Sequence, residues 1–75
     1  MSKLPVVSGD DLVRALAKIG YVVVRQKGSH MRLRHGTDPS RKPLSVPRHP
    51  EIKRGLLKDI MRDAGISAEE LIELL

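Results

Sequence analysis

The chain has no cysteine, no tryptophan and no phenylalanine, and Tyr21 is its only aromatic residue. Without cysteine, disulfides and thiolate metal sites are excluded, which fits a reducing compartment. With so little aromatic mass, the core has to be packed from Val, Leu, Ile, Ala and Met. Long apolar runs are also missing. The longest fall far short of the roughly 20 residues that cross a bilayer. The start, Met1-Ser2-Lys3-Leu4-Pro5, lacks the apolar core of a signal peptide, so a cytoplasmic location is expected. At 75 residues the chain fits a single domain, 1–75, with a thin core.

Acids are scarce where bases gather. The net charge is +5 and the sequence pI is near 10.1. Residues 25–54 hold nine Lys or Arg against two acids, or +7; the rest holds five bases and seven acids, or −2. A basic centre between acidic ends suggests a surface that faces a polyanion. Ordinary solvated charge is the bland alternative, and the faces of the strands decide between them.

Ser8 caps a first helix, with Asp11 completing a capping box. Leu12, Leu16 and Ile19 follow at helical spacing, flanked by Val13 and Ala15, and Gly20 is the expected left-handed cap. Tyr21 to Lys27 is β-branched and extended, and Gly28 breaks it. Ser29 to His35 alternates polar and apolar residues. Gly36 to Arg41 reads as a loop, and Lys42 to Val46 as a third strand, set at an edge by Pro43. Pro47 to Pro50 is a connector. A second helix is predicted over roughly Lys53 to Ala64, with Leu56, Leu57, Ile60, Met61 and Ala64 as its stripe. Pro50 also fits a first turn, so its start is not fixed. Gly65 caps it, Ile66 follows, and Ser67 with Glu70 opens a short last helix carrying Leu71, Ile72, Leu74 and Leu75. The fold class is α+β: an α-β-β-β-α order, a three-stranded antiparallel sheet with helices on one face, and a short extra C-terminal helix. This is the architecture of the double-stranded-RNA-binding domain.

Alternation assigns the faces. Met31 and Leu33 point to the core, so His30, Arg32 and Arg34 point away from it. Val22 and Val24 fit the core face of the first strand, leaving Tyr21, Val23, Arg25 and Lys27 on the other. Leu44 and Val46 face inward and Ser45 outward. The open face then gathers Arg25, Lys27, His30, Arg32 and Arg34. An exposed sheet face is ordinarily polar, but with mixed charge; this one has no acid. Four cations suit phosphates, and a histidine among them suits acid–base work.

The other candidates divide between chemistry and structure. His35 ends its strand and reads as structural or solvated. His49, in Val46-Pro47-Arg48-His49-Pro50, is a helix-entry residue or a second contact to RNA, the structural role being the simpler. A zinc site is not expected, because no two histidines have ligand spacing and the cations would repel a metal ion; no cofactor is implied. Ser29 lacks a nucleophile elbow and an acid to orient a histidine base, so turn chemistry is its simpler use. The terminal apolar stripe is more often core than interface.

These residues together resemble the HicA (YcfA-like) toxins of type II toxin–antitoxin systems. The resemblance covers nearly the whole chain: Gly20-Tyr21, Gly28-Ser29-His30, Val46-Pro47-Arg48-His49, Gly55-Leu56-Leu57, Ile60, Ala64-Gly65-Ile66, Glu69, Glu70 and the last leucines. It implies a double-stranded-RNA-binding-like fold, cleavage of mRNA as an endoribonuclease, and neutralisation by a HicB-type antitoxin. The family's catalytic histidine lies in its Gly-Ser-His motif, which falls on His30. The RNA contacts expected around it are Arg25, Lys27, Ser29, Arg32, Arg34, Arg48 and His49. RNA carries its own nucleophile, the 2′-OH, so no metal is required. The second proton-transfer group is left open among Tyr21, His49 and water. A non-catalytic RNA-binding module of the same fold is the main rival. A DNA-binding role lacks a recognition helix, because the second helix mixes Lys53, Arg54, Lys58 and Arg62 with Asp59 and Asp63. A structural module docking through the last helix is the third alternative.

Overall fold

The structure, a computed structural model, describes residues 3–75. Met1 and Ser2, part of the start read above, lie outside the described residues. Ser8 opens α1 (Gly9–Ala17) through the reciprocal bonds its spacing predicts. The Asp11 N–H donates to the Ser8 hydroxyl at 3.0 Å, and the Asp11 carboxylate accepts the Ser8 N–H at 3.4 Å. Hydrogen bonding to the Ser8 side chain, and then to its backbone N–H, holds the Asp11 carboxyl below its ordinary value of 3.8. The helix stops earlier than its spacing predicts. Lys18 caps it in a right-handed conformation, and Gly20 follows at φ +103°, turning the chain into the sheet.

The sheet is antiparallel in the order β1-β2-β3, with β1 at Tyr21–Lys27, β2 at His30–His35 and β3 at Leu44–Pro47. β3 begins at Leu44 rather than Lys42. Pro43 has no N–H for a ladder, and the Lys42 carbonyl is taken by the Tyr21 hydroxyl at 3.0 Å. Two helices complete the chain, α2 (Arg54–Ala64) and α3 (Ala68–Leu74). Lys53 is the cap of α2 and makes no side-chain cap bond. Gly65 ends α2 at φ +75°, where the Ile66 N–H returns to the Met61 carbonyl at 3.1 Å. Ser67 and Glu70 form the capping box predicted for α3. The architecture is therefore the α+β order with a three-stranded sheet and a short last helix. Among the described residues no helix is long and apolar enough to cross a membrane.

The core joins α1, all three strands, α2 and α3 in one cluster. Most of the predicted apolar positions are in it. Leu56 is not: it is exposed, on the outer side of α2. Ile72 and Leu75 are half-exposed, so only Leu71 and, partly, Leu74 of the last stripe enter the core. Val7 and Ile52, not predicted, are buried. The Ile52 N–H donates to the Val7 carbonyl at 2.8 Å, which ties the approach to α2 against the approach to α1.

Candidate nucleic-acid interface

Strand β1 changes phase once along its length. Tyr21 pairs with His35, Val22 with Arg34 and Val23 with Leu33, but the next pair is Arg25 with Arg32. Val24 is thus an extra residue, a β-bulge. Residues directly opposed across a ladder share a face. Before the bulge, Tyr21 and Val23 lie with Leu33 on the helix side, and Val22 lies with Arg34 on the open side. After it, Arg25 joins Arg32 and Lys27 joins His30 on the open side, while Gln26 joins Met31.

This overturns part of the sequence reading. Tyr21 is in the core at 1% exposure, whereas Val22 and Val24 are 49% and 51% exposed. Strict alternation would have put Tyr21 and Arg25 on one face. The bulge separates them, so one strand buries the only tyrosine at its start and presents two cations at its end. Val23, although on the helix side, stays 43% exposed because β1 is an edge strand.

Arg25, Lys27, His30 and Arg32 line one shallow depression of about 200 Å³, together with Met31 and Ser45. Arg32 donates to the Ser45 hydroxyl at 3.1 Å, which fixes the guanidinium over β3. Ser45 was read only as outward-facing; its place between inward Leu44 and Val46 was the signal that it shares the face. Arg34 is on the same face beside Val22 but does not line the depression. The ion pairs among the described residues involve Arg14, Arg41, Lys42, Arg48 and Arg62, and none involves Arg25, Lys27, Arg32 or Arg34. The His30 side chain is exposed and makes no hydrogen bond or ion pair to the described residues.

Gly28, at φ +60°, makes the turn between β1 and β2, and Ser29 completes it. The Ser29 carbonyl accepts the Arg48 N–H, so the connector after β3 runs beside this turn. The Arg48 side chain reaches Asp10 on α1 at 3.1 Å rather than the open face. His49 is exposed in the connector.

The two remaining candidates are structural. His35 stands edge-on to the Tyr21 ring, with centroids 5.2 Å apart. Its Nε2 lies 2.8 Å from the Ile19 carbonyl, and its Nδ1 accepts the Asp38 N–H at 3.0 Å. That pattern is satisfied by the tautomer protonated on Nε2. A Cβ on Gly20 would sit 2.5 Å from the same ring nitrogen, so His35 packs there because Gly20 has no side chain. Tyr21 is closed off from the open face by burial, which also pushes its hydroxyl above the ordinary 10.0. Among the described residues no three His, Asp or Glu side chains cluster as a metal site would require.

The arrangement offers an acid-free, cationic recess with one unengaged imidazole at the end of the sheet. The family model described as the HicA toxin of bacterial toxin–antitoxin systems matches residues 9–66. No curated protein matches significantly.

Proposed function

The chain belongs to the HicA toxin family, the toxin side of toxin–antitoxin systems, and we propose that it acts as a metal-independent endoribonuclease on mRNA with His30 at its centre. The observation that carries this reading is the placement of His30. It lines a recess with Arg25, Lys27 and Arg32, and nothing among the described residues engages its ring.

Cleavage needs three things at one phosphate. The 2′-OH must lose a proton, the phosphorane charge must be steadied, and the leaving oxygen must gain a proton. His30 takes part in the proton transfer as general base. Arg25, Lys27 and Arg32 hold the phosphate and stabilise its developing charge, with Arg34 guiding the strand. Ser29, Arg48 and His49 flank the recess at the turn end. Because membership of the family implies an antitoxin, the partner proposed is a HicB-type protein that covers this face with acids or occludes His30.

His30→Ala tests the assignment. The exposed, unbonded ring contributes little to the fold, so the melting temperature is expected to hold. Cleavage is expected to fall about 10²–10⁴-fold. A variant that cuts RNA at the wild-type rate would overturn the role of His30. RNA binding without cleavage by either protein would favour a non-catalytic RNA-binding module.

A further inference from the structure

Transesterification of RNA requires an acid as well as a base, and the proposed function uses only one histidine. The structure removes Tyr21 from the remaining candidates. Its ring is buried on the helix side and its hydroxyl donates to the Lys42 carbonyl. His49 is left as the side-chain candidate, and its surroundings single it out.

Strand pairing sets His30 opposite Pro47. The Arg48 N–H then bonds the Ser29 carbonyl, so the pairing continues one residue past the end of β3. Opposed residues in an antiparallel ladder have Cα atoms about 5 Å apart. Two further residues of chain add at most about 7 Å. His49 therefore starts within side-chain reach of a phosphodiester bound at His30. Arg48 turns toward α1 to meet Asp10, so it does not compete with His49 for that phosphodiester.

The connector is also held with unusual care for an exposed segment. The Gly9 N–H donates to the His49 carbonyl at 2.9 Å, and the Ile52 N–H donates to the Val7 carbonyl at 2.8 Å. A side chain on Gly9 would collide with the Pro47 carbonyl. Yet the His49 imidazole is exposed and makes no hydrogen bond to the described residues. The cap of α2 is Lys53, so the ring of His49 does not cap that helix. The backbone of His49 is structural; its ring is not. A fixed backbone carrying a free imidazole is the condition for a positioned acid.

We propose that His49 is the second catalytic residue, the general acid that protonates the 5′ leaving oxygen. This rests on the ribonuclease reading given above. In the step, His30 takes the proton of the 2′-OH as the O2′–P bond forms. The P–O5′ bond breaks, and His49 in its imidazolium form delivers its proton to O5′. The products are a 2′,3′-cyclic phosphate and a 5′-hydroxyl, and solvent exchanges protons to reset both rings.

A leaving group that needs no proton separates this role from a structural one. The substrates are an oligoribonucleotide whose cut site has been mapped with the wild type, and the same oligomer with sulfur replacing the 5′-bridging oxygen at that site. His49→Gln is expected to slow cleavage of the ordinary oligomer about 10²–10⁴-fold and to cut the sulfur substrate at close to the wild-type rate. His30→Ala is expected to be slow on both. His49→Asn, with melting temperatures for each variant, guards against a folding defect. Equal losses on both substrates, or no loss on the ordinary one, would overturn the assignment of His49. A wild type that cuts neither substrate would overturn the ribonuclease reading itself, and this assignment with it.

Discussion

Tyr21 is the chain's only aromatic ring apart from the histidines, and its surroundings make a pH-dependent prediction. Burial holds its hydroxyl protonated beyond the ordinary 10.0, and the hydroxyl donates to the Lys42 carbonyl. A group whose folded value is raised contributes stability below its unfolded value and loses it as pH climbs through the folded one. Alkaline unfolding should therefore set in above pH 10.0, and ionisation of the ring, followed by near-ultraviolet absorbance, should coincide with it. Tyr21→Phe is expected to cost about 1 kcal/mol at neutral pH and to flatten the alkaline limb of a denaturant series. An ionisation that precedes unfolding would contradict the buried placement. The outward face of His30 and the caps Ser8 and Ser67 were legible at this scale, because each rests on neighbours within a few residues. Tyr21 was not. Its face depends on a bulge that only the partner strand defines.

The starts of α1 and α3 were the most legible elements, and all three helix starts carry a further signal. Val7 and Leu12, Ile52 and Leu57, and Ile66 and Leu71 each flank a cap at the spacing of a hydrophobic staple. All six enter or pack against the core. Reading the staples would have found the buried Val7 and Ile52. The bulge at Val24 had no comparable sign, since a run of three valines looks alike in either phase. Its consequence is testable: deleting Val24 leaves Val23 opposite Leu33 and Arg25 opposite Arg32 in an unbroken ladder, with Tyr21 still inward and Arg25 still outward. Denaturant unfolding of the deletion variant is therefore expected to match the wild type within about 1 kcal/mol. A loss of about 3 kcal/mol or more would contradict the assignment of Val24 as the extra residue. The connector offers a second test at this scale. Gly9→Ala pushes on the Pro47 carbonyl, with about 1–3 kcal/mol of destabilisation expected and cleavage reduced with it.

Across the whole molecule, charge is segregated by face as well as by sequence. The central stretch was legible as basic, but the depression that collects Arg25, Lys27, His30 and Arg32 comes from sheet register. Arg48, counted with them in the sequence, is drawn off by Asp10. Four cations without acid partners predict steep salt dependence. If each neutralises one phosphate of single-stranded RNA, the slope of log affinity against log salt is about −3. A flat response would contradict an interface led by phosphates, and replacing Arg34, which lies outside the depression, should make the slope shallower by less than one unit.

The most direct test of the central claim is to incubate the purified protein with single-stranded RNA in EDTA, beside His30→Ala, and to identify the product ends. The account predicts cleavage by the wild type alone, leaving 2′,3′-cyclic phosphate and 5′-hydroxyl ends. Cleavage that disappears in EDTA, or that persists in His30→Ala, would contradict it.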